Sequence, residues 1–156
     1  YVQNSKATYD VALIDLVDPS NEKLAKLYST EFYRNIEARL APEGVMVTQA
    51  TSTFFSPHAF STVASTVAAA QPDRQILPFS TNVPSFGEWG FVLSTRTPQN
   101  LISQPLPEGL TYQDRETLEF IMRTKPARTE TMEPSTLLHP RIVEGYNRDM
   151  RQWRYY

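Results

Sequence analysis

The most constraining feature of this chain is a short apolar run that ends in acid, Tyr9-Asp10-Val11-Ala12-Leu13-Ile14-Asp15, followed by Leu16-Val17-Asp18-Pro19. A continuous apolar stretch of this length, closed by a turn signal, is the pattern of a strand buried on both faces of a parallel sheet. The downstream residues fit that reading. Leu24, Leu27, Tyr28, Phe32, Ile36 and Leu40 recur at spacings of three and four, with Ser20 as the expected cap and Pro42 and Gly44 as the stop, which predicts an amphipathic helix. Val45 to Gln49 predicts a second buried strand. After the polar loop from Ala50 to Phe55, Ser56-Pro57 predicts a capped helix whose apolar face carries Phe60, Val63, Val67 and Ala70.

Gln75 to Phe79 predicts a third strand, in which Pro78 removes a ladder hydrogen bond and so points to an edge or a bulge. Trp89 to Thr95 predicts a fourth, returning antiparallel. The stretch Asn82 to Gly90 between them is too long for a two-residue hairpin and is read as a loop that lines a site. Strand, helix, strand, helix, strand and a returning strand, with right-handed crossovers, describe an α/β fold, one half of a Rossmann-like doubly wound sheet. The expected division is residues 1–98 for this half and residues 99–156 for a carboxy-terminal extension. The extension should hold short helices around Asp114 to Met122 and after His139-Pro140, packed on the sheet or on another subunit. The polar stretch Thr124 to Thr136 is expected to be an exposed linker.

Composition narrows the chemistry. At 156 residues and 40% hydrophobic, the chain is long enough for one sizeable core. Its 15 basic and 17 acidic residues are mixed along the length, which argues against nucleic-acid binding. The absence of cysteine excludes thiolate metal sites and cysteine nucleophiles, and the 2 histidines make a metal centre an unfavoured reading. No apolar run reaches the roughly 20 residues that span a bilayer, and no signal pattern opens the chain, so the segment reads as cytoplasmic. It starts without methionine and runs almost directly into a strand, and is therefore read as a piece of a longer protein, one that a preceding region could anchor to a membrane.

Ligands of open α/β sheets bind beyond the carboxyl ends of the strands, which brings Asp15, Gln49 and the loop before Trp89 together. Asp15 and Asp18 are three residues apart, so their backbones lie within about 10 Å, a span comparable to a short aliphatic diamine. Two carboxylates could serve two amines. The blander reading, a strand-end acid that caps a helix or pairs with a base, stands beside this one for Asp15 and comes first for Asp18 taken alone. For Gln49 the blander reading is a side chain that satisfies loop amides, and for Trp89 a large core residue.

The run Tyr9 to Pro19, with Leu27-Tyr28-Ser29-Thr30-Glu31-Phe32-Tyr33, Leu40-Ala41-Pro42-Glu43-Gly44, Val47-Thr48-Gln49 and above all Val83-Pro84-Ser85-Phe86-Gly87-Glu88-Trp89-Gly90-Phe91, resembles the spermidine synthase family in its bacterial form. The resemblance covers Tyr9 to Thr95, with weaker support from Leu106 to Leu110. It implies a polyamine aminopropyltransferase of methyltransferase-like fold, with an Asp-x-x-Asp-Pro motif in which Asp15 deprotonates the attacking amine and Asp18 binds the polyamine. It further implies that Gln49 lines the amine pocket and that Pro84 to Trp89 forms its far wall.

Many members carry a tyrosine where this chain reads Val83-Pro84-Ser85-Phe86, which leaves the acceptor amine open. The family's glycine-rich loop and ribose-binding acid, which hold decarboxylated S-adenosylmethionine as co-substrate, have no counterpart here and are expected before Tyr1. Putrescine as acceptor, no permanently bound cofactor and a homo-oligomeric full-length protein complete the expectation. A methyltransferase of the same fold and a homologue that has lost the reaction are the alternatives.

Overall fold

The structure is a computed structural model that describes residues 2–97, 105–111, 113–124, 126 and 129–153. Four strands, β1 (Tyr9–Ile14), β2 (Leu40–Ser52), β3 (Gln75–Val83) and β4 (Gly87–Thr95), form one mixed sheet in the order β1-β2-β4-β3. β1 and β2 are parallel, while β4 runs antiparallel to both β2 and β3. The expected antiparallel return is thus present, and Pro78 lies on an edge strand, where its missing N–H costs no ladder bond.

Two expectations need correction at the strands. β1 is not buried on both faces, because Val11 is 58% and Leu13 78% exposed. Only Ala12, Ile14 and Leu16 turn toward the helix-covered core. The apolar run answers to two covered faces, and among the described residues one of them has little cover at β1. The loop before Trp89 is also much shorter than its composition implies. β3 and β4 stay paired out to Val83 opposite Gly87, leaving a three-residue turn at 84–86 in which Ser85 and the following Gly87 both have φ of 76°. Gly87 meets that left-handed geometry without the steric penalty a Cβ brings.

The predicted first helix is interrupted. Asn21, not Ser20, caps α1 (Glu22–Ala25), accepting from the Lys23 and Leu24 amides. A 3₁₀ turn over Lys26–Tyr28 comes next, and Ser29 then breaks into extended backbone and caps α2 (Thr30–Glu37) through the Phe32 amide. Leu27, Tyr28, Phe32 and Ile36 nonetheless all reach the core from the separate pieces. Leu40, expected to end the helix, instead opens β2.

The long helix α3 (Pro57–Ala70) places Phe60, Val63 and Val67 at the centre of the core, against Met46 and Ala50 of β2 and Val92 of β4. Proline stands at its first position as predicted, but Ser56 makes no capping bond to the helix amides. Its hydroxyl bonds Thr51 and the Ser52 carbonyl instead. The amides of His58 and Ala59 are taken by Asp149 of the last helix, at 2.9 and 3.2 Å.

The carboxy-terminal residues supply α4 (Arg115–Arg123), capped by Asp114 at the Thr117 amide, and α5 (Arg141–Arg151), which packs on α3. Between them, the described part of the supposed linker lies tied along α3. The amides of Glu130, Met132 and Ser135 donate to the hydroxyls of Ser61, Ser65 and Thr66, and the Ser135 carbonyl accepts from Thr30 at the α2 cap. A polar segment reads as exposed when it lacks apolar periodicity. This one is exposed at residues 129–131 and 133, and it is also fastened by hydroxyls spaced along one helix, a partner that its own sequence does not display. No helix among the described residues is long and apolar enough to cross a membrane.

Candidate active site

Because β1 and β2 are parallel and β3 and β4 close their hairpin at the same end, three segments converge beyond the carboxyl end of β1: residues 15–18, the end of β2 and the turn before β4. They enclose a cavity of about 650 Å³. Leu13, Val47, Val83, Phe86, Trp89 and Phe91 give it apolar walls, and Asp15 and Asp18 are the only ionisable side chains among the described residues that line it. Of the residues expected here, Asp15, Asp18, Gln49 and Trp89 all line it. Pro84 is exposed at the tip of the turn and does not, whereas its neighbours Val83 and Phe86 do.

The backbone between the two acids is held at successive carbonyls. The hydroxyl of Tyr28, fully buried under the strand end, donates to the Val17 carbonyl at 2.8 Å, and Gln49 Nε2 donates to the Leu16 carbonyl at 2.6 Å. Gln49 Nε2 also donates to the Tyr28 hydroxyl, while Gln49 Oε1 accepts from the Thr51 amide at 2.8 Å and the Trp89 indole at 3.3 Å. A carboxamide offers two donors and two acceptor lone pairs, and here all four are engaged. Gln49 therefore holds together β1, β2 and β4 at the site, with no hydrogen-bonding capacity left over. Tyr28 is visible in the sequence only as an apolar helix position. Burial raises its pKa well above the ordinary tyrosine value, so it remains a donor.

Asp15 is exposed and Asp18 is half-buried. Burial raises the Asp18 pKa above its ordinary value, opposed by hydrogen bonds from Tyr146 and Thr51. Thr51 has φ of 63°, a left-handed conformation that costs a β-branched residue about 1 to 3 kcal/mol and that marks a constrained site. A raised folded-state pKa means that the stability Asp18 contributes is present below its unfolded value and lost as pH rises through the folded one. At neutral pH the ionised acid is a burden on the fold. Asp18→Asn is accordingly expected to melt no lower than the parent at pH 7, with the difference closing in acid. A lower midpoint at pH 7, measured by calorimetry, would show that the acid serves the fold.

No cluster of three or more His, Asp or Glu suited to a metal ion occurs among the described residues. The lining has the character of a cation site, because it combines two acids with hydrocarbon and aromatic side chains and has no basic group among the described lining residues. An alkyl chain with ammonium ends matches that distribution, because buried apolar area favours the methylenes and the carboxylates favour the charges.

Known proteins share this geometry's sequence and fold. A family model described as "Spermine/spermidine synthase domain" matches residues 1–104. The chain is 39% identical over 149 residues to a polyamine aminopropyltransferase of Mycobacterium tuberculosis strain H37Rv, a match covering 93% of this chain and 27% of that protein. It is 36% identical to polyamine aminopropyltransferase 1 of Streptomyces coelicolor, over 100% of this chain and 29% of the relative. This chain thus spans under a third of the length of these relatives. Among solved structures, the spermidine synthase of Thermotoga maritima superposes with a TM-score of 0.60 at 21% identity, covering 80% of this chain and 44% of the other. A spermidine synthase bound to the transition state analogue AdoDATO superposes at 0.63 with 20% identity, covering 80% of this chain and 45% of that one. These two likenesses establish the fold.

Proposed function

This chain belongs to the spermine/spermidine synthase family, and from that premise we propose that the full-length protein is a polyamine aminopropyltransferase that uses decarboxylated S-adenosylmethionine and an acceptor such as putrescine. The observation that carries the proposal is the anchored pair of acids: Asp15 and Asp18 flank two carbonyls fixed by Gln49 and Tyr28, and line an apolar cavity whose described lining carries no other charge.

In this reading Asp18, half-buried, holds one ammonium of the diamine, the apolar walls hold its methylenes, and Asp15 removes a proton from the amine that reacts. The freed lone pair attacks the propyl carbon beside the sulfonium. A C–N bond forms, the C–S bond breaks, and its electron pair returns to sulfur, which leaves as the neutral thioether of methylthioadenosine. A thioether needs no protonation to depart, so one base suffices. The base matters because an alkylammonium with a pKa near 10.4 costs about 4 to 5 kcal/mol to deprotonate at neutral pH. A carboxylate positioned on it offsets part of that cost and orients the lone pair. Gln49, Tyr28 and Trp89 act as positioning residues, since their polar atoms are engaged with one another and with the backbone. The site for the sulfonium nucleotide is expected on residues preceding this segment.

The test is a product assay on the full-length protein with putrescine and decarboxylated S-adenosylmethionine. Saturable formation of spermidine and methylthioadenosine is expected, with a rate that climbs above neutrality as the amine loses its proton. A rate that peaks near pH 5 would contradict the mechanism. Full folding with no turnover on any diamine would favour the non-catalytic alternative, and transfer of a methyl group would favour the methyltransferase.

A further inference from the structure

The last helix reaches the amine site. Tyr146 lies midway along α5, half-buried against the core, and its hydroxyl donates to Asp18 Oδ2 at 3.1 Å across 128 residues of sequence. Three neighbours on the same face fix that helix: Ile142 fully buried, Gly145 packed close to the start of α3, and Asp149 bonded to the His58 and Ala59 amides. A Cβ on Gly145 would lie 3.4 Å from the Ala59 amide nitrogen, an ordinary van der Waals distance, so the two helices pack against each other at this point. The Tyr146 hydroxyl, with its pKa pushed up to about 12 by burial and by Asp18, remains a donor throughout the working range.

We propose that Tyr146 is a positioning residue for polyamine recognition: its hydroxyl, carried on the carboxy-terminal helix, orients the Asp18 carboxylate toward the amine. The inference rests on the amine reading of Asp18 and adds to it a residue from outside the sheet. An ionised carboxylate has about four acceptor positions. Tyr146 takes one of them from the carboxy-terminal helix, so the acid is held from outside the sheet and keeps capacity for an ammonium. A side chain held in one rotamer before the ligand arrives loses less entropy on binding, which appears in affinity and not in the chemical step. The ring of Tyr146 contributes packing and its oxygen contributes orientation, and the two roles separate cleanly in a phenylalanine variant.

The experiment is steady-state kinetics of the full-length enzyme with putrescine varied at saturating decarboxylated S-adenosylmethionine, for the parent, Tyr146→Phe, Asp18→Asn and the double variant. Tyr146→Phe is expected to raise the putrescine KM about tenfold with kcat within about twofold and the melting temperature unchanged. The double variant should be no worse than Asp18→Asn alone, because the hydroxyl acts through that acid. If Asp18→Asn raises KM while Tyr146→Phe matches the parent, the positioning role is wrong and the amine reading stands. If Tyr146→Phe lowers the melting temperature and leaves KM unchanged, the hydroxyl serves folding and the proposal is overturned. If Asp18→Asn itself leaves KM unchanged, or the parent shows no saturable response to putrescine, the amine reading fails and this inference with it.

Discussion

Replacing Asp15 by asparagine in the full-length enzyme is expected to lower kcat about 10² to 10⁴-fold, the range over which a positioned general base acts. The putrescine KM should move little. The substitution is nearly isosteric and Asp15 is exposed at the strand end, so the fold has no reason to suffer. What disappears is the proton acceptor. The anchored Leu16 and Val17 carbonyls keep the residue in place, so the loss is chemical and not conformational. Raising the pH should recover part of the rate, since a larger fraction of the amine then arrives already deprotonated. Parent-like turnover at pH 7 by Asp15→Asn would remove the base assignment, and a loss expressed wholly in KM would recast Asp15 as a second ammonium site.

The second large effect concerns stability. Asp149→Ala is expected to destabilise the fold by about 2 to 3 kcal/mol, because it strips a charged acceptor from buried donors. Asp149 is 1% exposed and takes the His58 and Ala59 amides, closing the amino end of α3, where the helix dipole favours negative charge. Its other oxygen faces His58 Nδ1, and Arg148 donates to His58 Nε2 at 2.9 Å, an arrangement that assigns the ring proton to Nδ1. Urea unfolding of the full-length protein measures the loss. His58→Ala, which leaves both amide bonds intact, should cost less than half as much. Equal effects of the two variants would place the stabilisation in the ring and not in the cap. Because Tyr146 lies three residues before Asp149, loosening this cap should also weaken amine binding.

Much of the site is legible in sequence because it depends on position along one strand. The acids Asp15 and Asp18 close the most apolar run of the chain, and parallel sheets put such strand ends at the ligand face, so their place follows from hydrophobic pattern and fold class together. Gln49 and Trp89 follow in the same way from the neighbouring strands, and family resemblance adds the roles now proposed for the acids. Pro84 shows the limit of that reasoning. Its segment does reach the site, yet which of its residues face the cavity depends on a hairpin that stays paired to within three residues of its tip. Composition favours a loop there because the segment is rich in proline, serine and glycine, and pairing with β4 overrides the local preference.

What the sequence by itself determined is therefore the order of strands and helices, the antiparallel return, the restriction of Pro78 to an edge or a bulge and the strand-end acids, all consequences of periodicity and turn chemistry within about ten residues. Tertiary structure alone decided that Asp149 and not Ser56 caps α3, that residues 130–135 are strapped to the hydroxyls of Ser61, Ser65 and Thr66, that Gln49 spends every hydrogen bond on its neighbours, and that Tyr146 reaches Asp18. The physical reason is common to all four. Apolar burial leaves a repeating trace in sequence because many residues share it. A polar bond between two distant side chains is a single event, and neither partner's neighbourhood records the other until the chain has folded them together.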